Sequence, residues 1–336
     1  EQAAMAATQL KAELAKVIVG QQLVVEEILI ALAANGHALL EGVPGLAKTL
    51  LISTLAATTR LGFSRIQFTP DLMPADITGT EIIREDKTSG NRELVFLPGP
   101  IFSSVILADE INRTPPKTQA AMLEAMQERQ VTAGGQRRAL PSPFFVLATQ
   151  NPIEQEGTYP LPEAQLDRFL IKIVVGYPDA EDELEVIRRT TSNRNPKPDA
   201  VLDGEELLAL QHLVRETPAA DGVMRYALAL VRATRPVDDG GLPELAILLR
   251  WGAGPRAGQA LMLCAKARAT LAGRAYVTLD DIRRVIKPVL RHRIQPSYEA
   301  EAQGLSADQL IDRLIGLVQL PATELERDPA VAGALG

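Results

Sequence analysis

The sequence has little of several things. Its 336 residues contain one cysteine, Cys264, one tryptophan, Trp251, and three histidines. A single thiol excludes a disulfide framework within the chain and fits a reducing compartment. His37, His212 and His292 are scattered, with no metal-ligand spacing among them, and read as packing or surface residues. Aromatic residues are only 4% of the chain, few for the stacking platforms of single-stranded nucleic-acid binders. Nor is there a basic excess: 35 Lys and Arg stand against 42 Asp and Glu, a net charge of -7, which weighs against nucleic acid as a partner. No apolar run approaches the roughly 18 residues of a membrane helix. The amino end, EQAAMAATQLKAELAKV, lacks the basic stretch and apolar core of a secretory leader. These absences give the expectation of a cytoplasmic chain without a membrane span.

What is present is an ordinary globular composition, 46% hydrophobic, with Gly 24 and Pro 23. The length suits about two domains. Helical apolar spacing covers residues 1–19 (Leu10, Leu14, Val17, Ile18) and 22–34, with Gly20 between and Asn35-Gly36 as a stop. Short runs rich in Val, Ile, Leu and Phe follow at 37–40, 65–68, 104–108, 143–148 and 169–175, separated mostly by helical stretches. That alternation predicts a parallel sheet covered on both faces. Two segments interrupt it: 71–100, which is rich in Gly and Pro, and 130–140, where Gly134-Gly135 predicts a hairpin. After Tyr177-Pro178 the pattern turns helical, at about 180–191, 203–216, 222–235, 257–272, 279–288 and 307–318, with no further strand evident. The expected division is an α/β core over 1–177, a helical domain over 178–320 and a flexible tail over 321–336.

The chemistry starts at GVPGLAKT, residues 42–49. It follows an apolar strand and opens a helix, the context in which G-x-x-x-x-G-K-[ST] binds phosphate, although Ala47 replaces the last glycine. The cradle is Gly42, Val43, Pro44, Gly45, Leu46 and Ala47, with Lys48, Thr49 and Leu50 at the helix start. Backbone N–H groups there face a β-phosphate, Lys48 reaches the β/γ oxygens, and the Thr49 hydroxyl ligates Mg²⁺. About sixty residues on, SVILADE is an apolar strand ending in two carboxylates. Asp109 is placed to hold Mg²⁺ through water and Glu110 to polarise an attacking water. A third strand ends in Thr149, Gln150 and Asn151, at the edge where parallel sheets bind ligands.

The ordered set GVPGLAKT, VILADEINR, VLATQNP, LPEAQLDRF and GAGPRA resembles the AAA+ ATPase superfamily, and within it the MoxR family, over about residues 10–320. The Ala47 departure is itself similar to MoxR-type loops. The resemblance implies an AAA+ αβα nucleotide-binding core with a parallel sheet, then an all-helical lid. It implies ATP and Mg²⁺ as cofactors, with adenine near Val19 and Gly20. Lys48 and Thr49 take the Walker A roles, Asp109 and Glu110 the Walker B roles, and Asn151 that of sensor 1. Arg168, in LDRF, matches the arginine finger, which serves the next subunit. Arg256, in GPRA, matches sensor 2, in cis or in trans. The catalytic set is thus Glu110, Asn151, Arg168 and Arg256. Gln67 is placed to restrain Glu110 before substrate arrives. Arg137 and Arg138, in the hairpin ahead of sensor 1, are candidates for touching a substrate, and Trp251 for anchoring the helical domain.

A finger acting in trans implies a homo-oligomeric ring, which in this family is a hexamer. The family resemblance further implies a chaperone-like remodeller or activator of a client protein, often working with a von Willebrand factor A domain partner. The reading set against it is a nucleic-acid motor related to the MCM ring or a magnesium-chelatase-type subunit. The acidic balance and few aromatics favour the first. A nucleotide-gated scaffold with scant turnover is disfavoured by the intact Glu110 and Arg168.

Overall fold

The computed structural model describes residues 2–43, 45–85, 92–152, 157–192 and 196–318. Pro44 and the tail from 321 lie outside them. Helix α1 (Gln2–Val17) buries Ala7, Leu10 and Leu14, the stripe its helical spacing sets up. Gly20 and Gln21 then take left-handed backbone at φ +63° and +54° and turn the chain into α2 (Gln22–Ala33). The core continues as β1 (Ala38–Gly42), α3 (Lys48–Thr58), β2 (Phe63–Gln67), α4 (Pro74–Thr78), β3 (Gly79–Glu85), β4 (Arg92–Pro98) and β5 (Val105–Asp109). It ends with α5 (Pro116–Glu128), β6 (Gln130–Ala133), β7 (Gln136–Ala139), β8 (Phe145–Gln150), α6 (Glu163–Leu166) and β9 (Ile171–Val175).

Five strands make one parallel sheet in the order β2-β5-β8-β1-β9. Successive side chains point to opposite faces, so the central strands β1, β5 and β8 feed two apolar layers, while β9 feeds one. Val105, Leu107, Phe145, Leu147, Ile171 and Ile173 enter the layer shared with α1, α2 and the later helices. Ile106, Ala108, Val146 and Ala148 enter a second layer with Met122 and Met126 of α5. A strand buried on both faces reads as an unbroken apolar run, which is why these strands are visible in sequence.

The two interrupting segments are antiparallel hairpins, β3–β4 and β6–β7. They pack together, with the Arg138 guanidinium 3.8 Å from the Phe96 ring centroid. Arg138 is thus engaged within the protein, while Arg137 stays exposed.

Beyond Val175 come α7 (Ala180–Thr190), α8 (Gly204–Glu216), α9 (Asp221–Ala233), α10 (Pro243–Ala246), β10 (Leu249–Trp251), α11 (Pro255–Leu271), α12 (Leu279–Leu290), β11 (Gln295–Pro296), α13 (Tyr298–Ala302) and α14 (Ala307–Leu317). The chain is therefore an α/β core with a helical lid. The sequence shows no strand in this part, but β10 and β11 form a two-stranded ribbon. It is too short to carry a periodic signal. Trp251 lies on it and is 63% exposed, so it anchors nothing; its neighbours Leu245, Leu248 and Ala253 are the buried residues. Cys264 is fully buried in the lid, and burial pushes its thiol up to about 12. Among the described residues no helix is long and apolar enough to cross a membrane.

His37 fastens the start of β1 to both neighbouring layers. Its Nδ1 accepts from the Val146 N–H at 3.1 Å, so its Nε2–H donates to the Met126 carbonyl, also at 3.1 Å. This pairing requires neutral imidazole, and burial first, then the Arg129 charge, lowers its pKa to about 3. Buried His292 is likewise held well below the usual range, by burial and then by Arg293. Burial pushes the Glu27 carboxyl the other way, up to about 7. As pH falls below about 6.5, the unfolded chain takes up two histidine protons that the native state refuses, while native Glu27 holds one that the unfolded chain releases down to about pH 4.5. From these three groups, stability should fall by about 1.4 kcal/mol per pH unit between pH 6 and 5. Glu27→Gln removes the opposing proton, so urea titrations across that window should show a steeper fall. A slope unchanged by the substitution would overturn this account.

Candidate active site

Parallel strands deliver their carboxyl ends to one edge of the sheet. Gly42, Gln67, Asp109 and Gln150 all end strands there. Because β8 lies between β1 and β5, Asn151 emerges between the phosphate-type loop and the two carboxylates. Gly42 is buried, and a Cβ there would meet the Val175 backbone at 2.9 Å. Gly45 has φ +87° with nothing within 4 Å of where a Cβ would stand, so its side is open for a ligand. Ala47 has φ +53°, the left-handed conformation that the usual glycine would take without strain. It precedes α3 with no side-chain cap, leaving that helix's first N–H groups available to an anion. Lys48 Nζ donates to the Gly42 carbonyl at 2.6 Å. Burial lowers its pKa, and the charges of Asp109, Glu110 and Glu41 oppose that effect.

The carboxylates are held by a network. Asp109 Oδ1 accepts from the Thr149 hydroxyl at 2.7 Å, and Oδ2 from Arg65 Nη2 and Nε at 2.6 and 3.1 Å. Glu110 takes left-handed backbone at φ +57°, a costly conformation that turns its side chain out of the strand direction. Its N–H donates to Thr149 Oγ1 at 2.8 Å, and its Oε2 accepts from Gln67 Nε2 at 3.1 Å and lies 3.2 Å from Arg113 Nε. A Gln67–Glu110 hydrogen bond is therefore in place, as the expected restraint requires. Such an arrangement can bind phosphate at the loop and hold a water beside Glu110.

The Thr49 hydroxyl and the Asp109 carboxylate are hard oxygen donors of the kind Mg²⁺ takes. Among the described residues no cluster of three or more His, Cys, Asp or Glu can hold a metal ion unaided. A cation here therefore needs phosphate oxygens and water to complete its shell.

Arg168 and Arg256 are elsewhere. Arg168 precedes β9, whose Ile171 pairs with Ala38, the first residue of β1, whereas the loop leaves from Gly42 at the other end. Four residue steps of strand separate those edges, about 13 Å before either side chain or loop is counted. Arg256 opens α11 and meets Asp167 at 3.6 Å. Both arginines line one cleft of about 270 Å³, together with Arg129 and Arg293. Among the described residues no ion pair engages the Arg168 guanidinium; Asp167 is taken by Arg293 at 2.8 Å and by Arg256. The structure thus splits the expected catalytic set into two groups, on opposite edges of the sheet.

Val19 and Gly20 line a separate cleft, of about 560 Å³, between α1 and α7. That is room for a nucleoside. None of the described residues of the 42–50 loop lines it. Gly20 suits its place by its φ of +63°, and the Asp182 carboxylate lies close beside it.

Sequence reasoning assigned no role to Thr149, which is fully buried and links the Asp109 carboxylate to the Glu110 backbone N–H, or to Arg65. Alternation along β2 was the available signal, since Arg65 and Gln67 point to the same face.

Comparison with known proteins points to the family. Residues 37–171 match the family model described as ATPase family associated with various cellular activities (AAA), and residues 245–314 match the AAA lid domain. The chain is similar to Chaperone MoxR1 of Mycobacterium tuberculosis, 46% identical over 92% of this chain and 81% of that protein. It is similar to MoxR of Methylorubrum extorquens, 34% identical over 90% of this chain and 92% of that one. A putative ATPase from Cytophaga hutchinsonii has a crystal structure that superposes with TM-score 0.87 at 45% identity, covering 95% of this chain and 97% of its own.

Proposed function

The chain belongs to the MoxR family of AAA+ ATPases, and from that premise we propose that this ATP-hydrolysing enzyme builds a complete active site only between copies of itself. In this reading the loop from Gly42 to Leu50 holds the phosphates, with Lys48 on the β/γ oxygens. Thr49 and Asp109 would hold Mg²⁺, which would neutralise phosphate charge when bound. Arg65 holds Asp109 Oδ2 at 2.6 Å and keeps that carboxylate in place at the strand end. Glu110 polarises the attacking water and Asn151 orients it. Arg168 and Arg256 of the neighbouring copy stabilise the charge that develops on the γ-phosphate. Val19 and Gly20 receive the base.

The observation that carries this reading is the split between sheet edges: Arg168 stands beside the amino end of β1 and the phosphate loop leaves its carboxyl end. The same split favours the trans assignment for Arg256, since it shares the Arg168 cleft. Copies joined this way form a ring, six in this family, and the ring acts in the cytoplasm on a client protein beside a partner with a von Willebrand factor A domain.

The test is Mg²⁺-dependent ATPase rate per subunit against protein concentration, with mass measured on the same samples. Specific activity should rise as larger assemblies form. A constant rate from a species that stays monomeric would mean one chain holds a complete site, and the shared-site reading would fall.

A further inference from the structure

We propose that Arg293, just beyond lid helix α12, is a positioning residue that fixes Arg168 and makes the finger's aim depend on lid position. The inference rests on the shared-site reading. Arg293 is buried, at 8% exposure, yet its guanidinium leaves few groups unmatched. Nε donates to Asp167 Oδ1 at 2.8 Å. Nη1 donates to the Leu170 and Val289 carbonyls at 3.0 and 2.6 Å. Nη2 donates to the Phe169 and Asp167 carbonyls at 2.7 and 3.3 Å. Of the four residues from 167 to 170, only Arg168 takes no bond from Arg293; its backbone is fixed on both sides, and among the described residues no ion pair engages its side chain. His292 Nε2 donates to the Phe169 carbonyl at 3.1 Å, and Arg291 Nη1 to that of Lys172 at 3.1 Å. Three successive lid residues thus hold the segment that carries the finger.

Stability alone is a poor reason for this arrangement. Burying a guanidinium costs it its hydration, and buried ion pairs replaced by well-packed apolar groups often gain stability. What the fork supplies, and an apolar side chain cannot, is fixed geometry at several acceptors at once. Asp167 adds a second link, because Arg256 at the start of α11 meets the same carboxylate. A lid that shifts must therefore carry the backbone of residue 168 with it or break these bonds.

The test compares steady-state ATPase kinetics and thermal unfolding for Arg293→Lys, Asp167→Asn, Arg168→Ala and the two doubles with Arg168→Ala. Lysine keeps the charge and loses the fork; Asp167 is partly exposed, so its amide variant stays foldable even if the buried lysine does not. We expect kcat to fall on the order of 10²-fold for Arg293→Lys, as misplacement by about 1 Å can cost, with KM for ATP unchanged. Asp167→Asn should cost about tenfold by the same effect, being one contact of several. Each double should be no slower than Arg168→Ala alone, since an absent finger cannot be misplaced. Losses that multiply in the doubles, or folded Arg293→Lys and Asp167→Asn with wild-type kcat, overturn the proposal. If Arg168→Ala itself keeps full kcat, it is the shared-site reading that has failed.

Discussion

Arg168→Ala should lower kcat on the order of 10³-fold or more and leave nucleotide affinity unchanged. The size follows from what an arginine supplies to phosphoryl transfer, a fork of donors and a full charge at the equatorial oxygens. The unchanged affinity follows from placement, because the residue stands at the edge of the sheet opposite its own phosphate loop. Its guanidinium has no ion pair to lose among the described residues, so truncation should leave the fold intact. Mixing provides the stronger check. Arg168→Ala subunits keep a sound loop, and Lys48→Ala subunits keep a sound finger. Each is inactive alone; together they restore one competent kind of interface. Recovery of ATPase activity on mixing is the expected result, and inactivity at every ratio would sink the trans assignment.

Glu110→Gln should bind ATP as tightly as the parent and hydrolyse it about 10²- to 10⁴-fold more slowly, the usual worth of general-base assistance. The substitution is nearly isosteric. The backbone at φ +57° and the bond from the Glu110 N–H to Thr149 do not depend on the side-chain charge. Gln67 can still donate to the remaining carbonyl oxygen. What is lost is the acceptor that takes a proton from water. Fluorescent-nucleotide titration beside single-turnover hydrolysis separates the two effects. Wild-type turnover would remove Glu110 from the proposed mechanism, and lost binding would mean that its role is structural.

Much of this arrangement was legible in the sequence, for physical reasons. Strands buried on both faces must be apolar throughout, so β1, β5 and β8 stood out, and the polar last residues of β5 and β8, Asp109 and Gln150, marked the ligand edge. The loop was legible because phosphate binding demands particular backbone freedom next to Lys48. Less was visible where role depends on distant pairing. Arg293 stands 125 positions from Arg168, and no local pattern links them. Thr149 looks like any strand residue until β5 lies beside it. Trp251 misled because size suggests burial, whereas the β10–β11 ribbon holds it outward.

In the proposed shared site, the two-edged sheet also gives each molecule a direction, with a phosphate-holding end and an arginine-bearing end. A twofold dimer joins like surfaces and so cannot match one end to the other. Head-to-tail joining can, and its arithmetic is strict: an open row always has one fewer complete site than it has members, and only closure makes the numbers equal. A single severed junction silences one site and leaves the rest competent. Closing or parting one seam thus offers a way to regulate output in steps, one catalytic centre at a time.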